Sequence, residues 1–512
     1  MDSINTEALS RGQQRHHDLD SLRRTVMGRV YAPGDAEWDR VRVPWALAVE
    51  QTPLAVLEVA DAEDVRLAVR WAGQHGRQVT AQPVGHGAND SLDQVLLLRT
   101  RALDSIAIDL DAGTATVGAG VKAGELLQAL RGTGFTFLAG SNPDPTVVGM
   151  TISGGMSWFG RAHGLAANSV VSVDLVDAHG RRRRVTQAAD PELFWAVRGG
   201  GGDFGIVTEM EIKLFAAPEL YGGRLFWPIE AMPAVLRVFR EVSRSAPDEL
   251  SLWYYTYQFP PLPVVPEPLR GRGFAAVAVA YLGSASAAEE WLQPLRSTPG
   301  LVMDLLAPTH MADLGDIAGE PTDPMPALEH SVLLTDLDDE VIGRLTAVAG
   351  AGSASPLLSL EIRHLGGAFR TRLPDVGAAG HIDEPYILFA LGVAAEPGLS
   401  EAITGTFGRI DEAVQGHTDG RTVPNFLGAG DDARRAWPPH VRRRLADVKR
   451  AVDPLNTVLS NRPVLQLETI SFVIADPTVS IDGQSITSGE PLTPHHRARS
   501  APFFTAIPDT TT

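Results

Sequence analysis

A histidine stands between two glycines at Gly85-His86-Gly87, within the run Ala81-Gln-Pro-Val-Gly-His-Gly-Ala88. Glycine has no Cβ and tolerates positive φ, so such a turn lets backbone press against a ligand while the imidazole projects from it. Alone, the tripeptide reads more readily as a surface turn with an incidental histidine than as a site. Two glycine-dense segments further along favour a ligand. The first is Gly140-Ser-Asn-Pro-Asp-Pro-Thr-Val-Val-Gly149-Met-Thr-Ile-Ser-Gly154-Gly155-Met-Ser-Trp-Phe-Gly160-Arg-Ala-His-Gly164-Leu-Ala-Ala. The second is Asp190-Pro-Glu-Leu-Phe194-Trp195-Ala-Val-Arg198-Gly199-Gly-Gly-Gly202-Asp-Phe-Gly205-Ile-Val-Thr208.

Other stretches imitate chemistry without supporting it. Gly118-Ala-Gly120-Val-Lys-Ala123 lies between a strand pattern and a helix pattern, as a dinucleotide-binding turn requires. The acidic strand end expected about 20 residues on is missing, that region reading Phe135-Thr-Phe-Leu-Ala-Gly-Ser141. Gly200-Gly-Gly202-Asp-Phe-Gly205 runs from helix into strand, the reverse of an anion site at a helix N-terminus. Nicotinamide binding is not expected. The pairs His16-His17 and His495-His496 lack a carboxylate cluster beside them and read as solvated surface, and no metal site is expected. Arg181 to Arg184 reads as an exposed strand end.

The 512 residues are too many for one core and imply two or three domains. A content of 44% hydrophobic residues with 50 Gly and 36 Pro describes a loop-rich globular chain. No run approaches the roughly 20 apolar residues of a membrane helix. Met1-Asp-Ser-Ile-Asn-Thr-Glu7 lacks the basic and apolar regions of a secretory signal, so a cytoplasmic location is expected. There is no cysteine, which excludes disulfides and thiolate chemistry. The net charge of −18 argues against nucleic acid, whose binding requires phosphate neutralisation. Any anionic ligand must then rely on local donors, because charges beyond about 8 Å are screened.

The elements that would position these residues are short. A strand over Leu54–Ala60 leads to a helix over Ala62–Gly76, and the strand Gln78–Pro83 delivers the His86 turn. Strands follow over Gln94–Arg99, Ser105–Leu110 and Thr114–Gly118, then a helix over Gly124–Leu130. Asn168–Val176, a helix over Pro191–Val197 and the alternating Ile206–Leu214 continue the pattern. Beyond Pro218 come strands at Leu252–Phe259, Gly273–Tyr281 and Leu357–His364, with helices over about 286–295 and 339–349.

From about Pro33 to about Val464 this ordered set of motifs resembles the FAD-linked oxidoreductases of the vanillyl-alcohol oxidase and p-cresol methylhydroxylase type, within them the berberine-bridge-enzyme-like branch. The resemblance implies an α+β fold. A two-part FAD-binding domain (46–217) would follow an N-terminal segment (1–45) and precede a substrate domain of antiparallel sheet covered by helices (218–420). A return segment (421–468) would re-enter the FAD domain, leaving a C-terminal extension (469–512). It also implies FAD, tied through His86 to the flavin 8α-methyl; without cysteine, one tether is the maximum. The alternative is FAD held without a bond, His86 packing on the ring. The implied cradle is Val84, Gly85, Gly87, Ala88, Gly140, Ser141, Thr146, Val147, Gly149, Ser153, Gly154 and Gly155, with Leu165, Ala166, Gly205, Ile206, Val207, Asn425 and Asn461.

The chain departs from its relatives at catalysis. The tyrosine that relatives usually place two residues before Asn425 is Val423 here. Substitutes on the implied substrate domain are Tyr255 and Tyr257, with Tyr254 on the opposite strand face, and Glu361, Arg363 and His364. Alternation puts Glu361 and Arg363 on one face and His364 on the other. Glu361 and Arg363 also read as a sheet-face ion pair, and the Trp253, Tyr255 and Tyr257 row reads equally as core or as a substrate wall. The expected activity is oxidation of a small organic substrate by hydride transfer to flavin N5, with O₂ as acceptor. The alternative is non-redox cyclisation or isomerisation on an FAD protein. The sequence does not fix an oligomeric state.

Overall fold

The computed structural model describes residues 18–465 except 91, 218, 260–262, 264–266, 268 and 397. His16-His17, His495-His496 and the extension 469–512 lie outside the described residues. The N-terminal half is built on two sheets. One has the order Arg29–Tyr31, Ala55–Glu58, Val95–Arg99, Gln78–Ala81, parallel except at the Arg29–Tyr31 edge. The other is antiparallel, in the order Ile106–Asp109, Thr114–Gly118, Ile206–Lys213, Val170–Val176, Arg182–Val185. The helix Ala62–Gln74 lies between them. Asp61 caps it, accepting from the backbone N–H groups of Glu63 and Asp64. Its apolar positions Val65, Ala68, Val69 and Ala72 follow the helical period and are buried against Leu57, Val79, Leu96, Leu98, Val176 and Ile206.

This is the two-part α+β arrangement expected. Within the N-terminal segment, residues 18–45 contribute to the first sheet and its core. Arg29–Tyr31 pairs with Ala55–Glu58, and Leu19, Leu22 and Val26 pack into the same core. Three residues are too few for a strand to declare itself by alternation.

The second half is one large antiparallel sheet. Its order is Met303–Asp304, Leu220–Pro228, Gly273–Tyr281, Leu250–Gln258, Leu357–His364, Tyr386–Val393, Ala327–Leu334, with Ala307–Thr309 also pairing to Leu220–Pro228. The strands Leu220–Pro228, Ala327–Leu334 and Tyr386–Val393 and the helices Met232–Ser245 and Leu399–Ala413 were not anticipated from sequence. Helices Met232–Ser245, Ala285–Arg296, Asp339–Ala349 and Leu399–Ala413 cover one face, against Leu252, Tyr254, Val277, Ile362 and Leu388. The period-two alternation sends Trp253, Tyr255, Ala276 and Ala278 to the other face, where they join the core of the N-terminal half. Among the described residues no helix is long and apolar enough to cross a membrane.

The chain then returns. The helix Pro439–Val452 packs on Pro191–Val197. Residues 457–459 extend the first sheet, with Val79 N–H donating to Thr457 O at 2.8 Å and Leu459 N–H to Val79 O at 2.9 Å. Lys449, fully buried, closes this junction by donating to Asp453 Oδ2 (2.8 Å), Asp203 O (2.8 Å) and Val458 O (2.5 Å). Removing one member of a buried pair strands the other charge. Lys449→Met is therefore expected to lower unfolding free energy by roughly 3–5 kcal/mol, read by equilibrium urea denaturation.

Candidate active site

The strand Gln78–Ala81 ends in the turn that carries His86. Gly85 there has φ of 102°, and a Cβ on it would lie 2.7 Å from Pro44 Cβ. Its missing side chain thus makes room for Pro44 and Trp45, whereas around Gly87 nothing lies within 4 Å of a built Cβ. Trp45 N–H donates to Val84 O at 3.1 Å, and its indole N–H to Thr322 O at 2.9 Å. The indole stacks on the His86 ring with centroids 4.1 Å apart. On the imidazole's edge, Nε2 lies 2.9 Å from Asp144 Oδ2, and Lys122 Nζ bonds the other oxygen of that carboxylate. Burial alone would raise the Asp144 pKa; the hydrogen bonds from His86 and Lys122 outweigh it and hold the carboxyl below its usual range.

His86 opens into a cavity of about 330 Å³. Of the expected cradle, Val84, Gly85, Gly87, Gly140, Ser141, Thr146, Gly149, Ser153, Asn425 and Asn461 line it. Gly154 and Leu165 border a second cavity of about 310 Å³, which shares Asn425, Pro424, Met156 and Trp437 with the first. The remaining positions lie behind the wall. Ala88 packs with Trp45, Val147 and Ala166 are core, and Gly155 at φ 74° leaves no room for a Cβ, which would fall 2.4 Å from Ala166 Cβ. Gly205, Ile206 and Val207 begin a sheet strand, where a Cβ on Gly205 would meet Leu175 and Val176 O at 2.9 Å. Many of the glycines therefore permit tight protein packing rather than direct approach of a ligand.

Asn425 ties the return segment to the glycine turn. Its Oδ1 accepts from Gly155 N–H at 2.5 Å, and its Nδ2 donates to Met150 O at 3.0 Å. Val423, where the family resemblance implies a tyrosine, is buried in an apolar cluster with Met156, Leu165, Leu333 and Phe369. It offers no acid or base to the cavity.

The large sheet roofs the cavity. Glu361 is almost fully buried, its Oε2 accepting from Arg363 Nε at 3.1 Å and Nη2 at 2.8 Å. Glu320 also approaches Arg363, at 3.4 Å. Glu329, two strands away and unanticipated from sequence, lines the same cavity; among the described residues its carboxylate has no hydrogen-bond partner. Burial pushes both Glu361 and Glu329 up to about 7; Arg363 opposes this at Glu361, while repulsion from Glu320 and Glu361 adds to it at Glu329.

The other catalytic candidates are placed differently. His364 faces the covering helices, beside Tyr386, with Nε2 2.8 Å from Arg161 Nη1. Burial and then the Arg161 charge depress its pKa strongly. It is turned away from the cavity because strand residues alternate and Glu361 faces in. Tyr255 and Tyr257 stack on one another, 5.2 Å apart, inside the interdomain core and do not border the cavity. Burial drives both hydroxyls well above their usual pKa, so neither serves as a base there.

The residues present fit an anionic, aromatic cofactor. Among the described residues the backbone N–H groups of Gly85, His86 and Gly87 have no acceptor, although all three residues line the cavity. Asn461 Oδ1 is buried without a partner at the same wall. Three free donors on a turn form an anion site that does not depend on net charge.

Comparisons agree with this geometry. Residues 53–186 match the family described as an FAD binding domain. The (R)-6-hydroxynicotine oxidase of Paenarthrobacter nicotinovorans is 26% identical over 456 residues, covering 85% of this chain and 96% of that protein. The xylooligosaccharide oxidase of Thermothelomyces thermophilus is 30% identical over 205 residues, 39% of this chain and 41% of that protein. Among solved structures, berberine bridge enzyme from Eschscholzia californica superposes with a TM-score of 0.74 at 18% identity, over 87% of this chain and 98% of that one. The chain carries an FAD-binding domain, shares the fold of berberine bridge enzyme and is an FAD-dependent oxidoreductase. Gly155→Ala, which forces a Cβ into both the left-handed region and Ala166, is expected to lower FAD content at least fivefold, read as the ratio of absorbance at about 450 nm to that at about 280 nm.

Proposed function

We propose that the protein is an oxidase of a small organic substrate, with FAD held covalently through His86, dioxygen as acceptor and Glu361 as the base. The observation that carries this reading is the arrangement of the cavity: His86 on its floor and a buried, cation-paired carboxylate at its roof. FAD would supply the two-electron acceptor at N5. Glu361 would take the substrate's hydroxyl or amine proton, and Arg363 keeps its carboxyl within reach of neutral pH by opposing the effect of burial. Arg363 itself is held by stacking over Trp253 at 3.9 Å and Phe426 at 4.8 Å, so the base sits on a fixed support.

The roof favours a basic substrate. Glu320, Glu329 and Glu361 line the cavity against two arginines, and Arg462 spends its guanidinium on the carbonyls of Asn461, Leu427 and Gly428. A protonated nitrogen beside Glu329 would complete the charge balance. The name of the (R)-6-hydroxynicotine oxidase relative points the same way. Val423 supports a second reading, cyclisation or isomerisation without net oxidation, because a relocated base need not serve the relatives' reaction.

Anaerobic mixing with candidate amines separates the two: bleaching near 450 nm supports oxidation, and turnover with neither bleaching nor oxygen consumption supports the second reading. Glu361 acts in its ionised form, so the bleaching rate should rise with pH and level off above about 7. Glu361→Gln should slow bleaching at least about 100-fold and flatten that profile. Undiminished bleaching in this variant would remove Glu361 from the mechanism.

A further inference from the structure

Behind the Asn425 loop lies the second cavity of about 310 Å³, about ten times the share of one water in the liquid. Asn425, Pro424, Met156 and Trp437 form a partition common to both cavities. The polar groups of this partition are spent: Asn425 bonds Gly155 N–H and Met150 O, and the Trp437 indole N–H donates to Gly199 O at 3.0 Å. Leu165, Leu333, Ile382 and Val423 supply an apolar wall. His440 and Arg444 are exposed and mark where the cavity meets solvent.

One polar group on the wall is left over. Glu384 is 8% exposed, and its Oε2 is buried without a hydrogen-bond partner. Among the described residues it is the one buried side-chain polar atom of this cavity in that state. Oε1 accepts from Arg421 Nη2, and Arg421 Nε donates to Asp419 Oδ2 at 2.6 Å, so two carboxylates share one guanidinium. Arg444, the other arginine on the wall, is committed to Glu192 at 2.8 Å and to the face of Trp195 at 3.9 Å. Asp383 has its own partner in Arg372 at 2.9 Å. The wall therefore lacks one donor and one positive charge. Its backbone is fixed on both sides: Leu365 N–H donates to Pro385 O, Ile382 N–H to Phe369 O and Leu333 N–H to Arg421 O, each at 2.8 Å. An unpaired buried acceptor held in this way is costly until something donates to it.

We propose that the second cavity is a binding site for a small primary amine with a compact apolar body, its ammonium donating to Glu384 Oε2 and its hydrocarbon lying against Leu165, Leu333 and Val423. An ammonium supplies the missing donor and the missing charge at once, whereas a hydroxyl supplies only the donor. Because the partition is common to both cavities, an occupant also buttresses the Asn425 loop from behind. Neither the tether at His86 nor the role of Glu361 is needed for this site.

The test uses the full FAD-loaded chain and cumylamine, whose nitrogen-bearing carbon carries no hydrogen and so cannot be dehydrogenated. Binding is measured by isothermal titration calorimetry in a Glu329→Gln/Glu361→Gln background, which removes two buried carboxylates of the first cavity. Cumylamine should bind there, and cumyl alcohol, its neutral isostere, at least about tenfold more weakly. Adding Glu384→Gln should weaken the amine at least about tenfold, because Arg421 takes the amide oxygen and leaves the amide NH₂ towards the ammonium. Val376→Trp, which fills the cavity from a half-buried wall position, should abolish binding of both ligands. A crystal structure of the wild-type complex should place the ammonium within hydrogen-bond reach of Glu384.

Absence of binding in this background overturns the proposal. So do equal affinities for amine and alcohol, full affinity after Glu384→Gln, or an amine seated only in the first cavity of the crystal. The comparison of amine with alcohol needs no change at Glu384, so a Glu384→Gln chain that fails to fold does not shield the proposal.

Discussion

Lys449 is the contact on which the rest of the molecule depends. Its ammonium is buried, and it satisfies all three donors within one junction: the Asp453 carboxylate ending its own helix, the Asp203 carbonyl in the glycine-rich loop, and the Val458 carbonyl of the returning strand. Asp203 mirrors it, accepting from the N–H groups of Ser460 at 2.7 Å and Val464 at 2.5 Å. Excluding such charges from water is costly and is tolerated only with complete pairing. Complete pairing fixes one arrangement of loop, helix and strand. That arrangement sets Ser460, Asn461 and Arg462 against the cavity, so the wall nearest the chain's return exists only while the buried cation is in place.

Charge in the cavity follows the same local logic. A chain with net charge −18 gains nothing from its overall field in holding an anion. The unpaired N–H groups of the Gly85–Gly87 turn supply what the field does not. At the roof the balance runs the other way: carboxylates outnumber available guanidinium groups, and burial makes two of them reluctant to ionise. Floor and roof thus differ in sign, donors below and acceptors above, within a single cavity. Donors at the floor suit an anionic cofactor, and acceptors at the roof suit a proton-releasing substrate.

How far the sequence disclosed this depended on the kind of constraint. Glycines at positive φ, such as Gly85 and Gly155, were readable because few other residues adopt the conformation without strain. Pro191–Val197 and Gly273–Tyr281 carried clean periodicity and run between the expected ends. Glu361 and His364 were separated by strand parity alone, although parity does not say which face meets the cavity. Trp45, Asp144 and Glu329 were not recognised. Trp45 acts through stacking on a turn some 40 residues away, Asp144 sits among prolines that read as loop, and Glu329 matters only because a strand absent from the sequence reading places it two strands from Glu361. Contacts of long sequence separation leave no local pattern. Tyr255 and Tyr257 went the other way: alternation placed them correctly on one face, but that face is divided between cavity and interdomain core, and they fall in the core.

The substitution at Val423 and the carboxylate at Glu361 are best understood together. A base carried on the return loop would depend on the Asn425 anchorage and on the loop's own conformation. Glu361 instead lies in the middle of a strand, registered opposite Tyr255 on one side and Phe389 on the other, with Arg363 two residues along the same face. Its position is set by two ladders of backbone hydrogen bonds rather than by a loop. Groups on sheet strands are held to finer tolerance than groups on loops. With Glu361 fixed in the roof, the loop position is apolar, and Val423 fills the cluster around Met156, Leu165 and Phe369 that backs the glycine turn. Val423 thus supports the floor, while the buried carboxylate at the roof is carried by the element best able to hold it still.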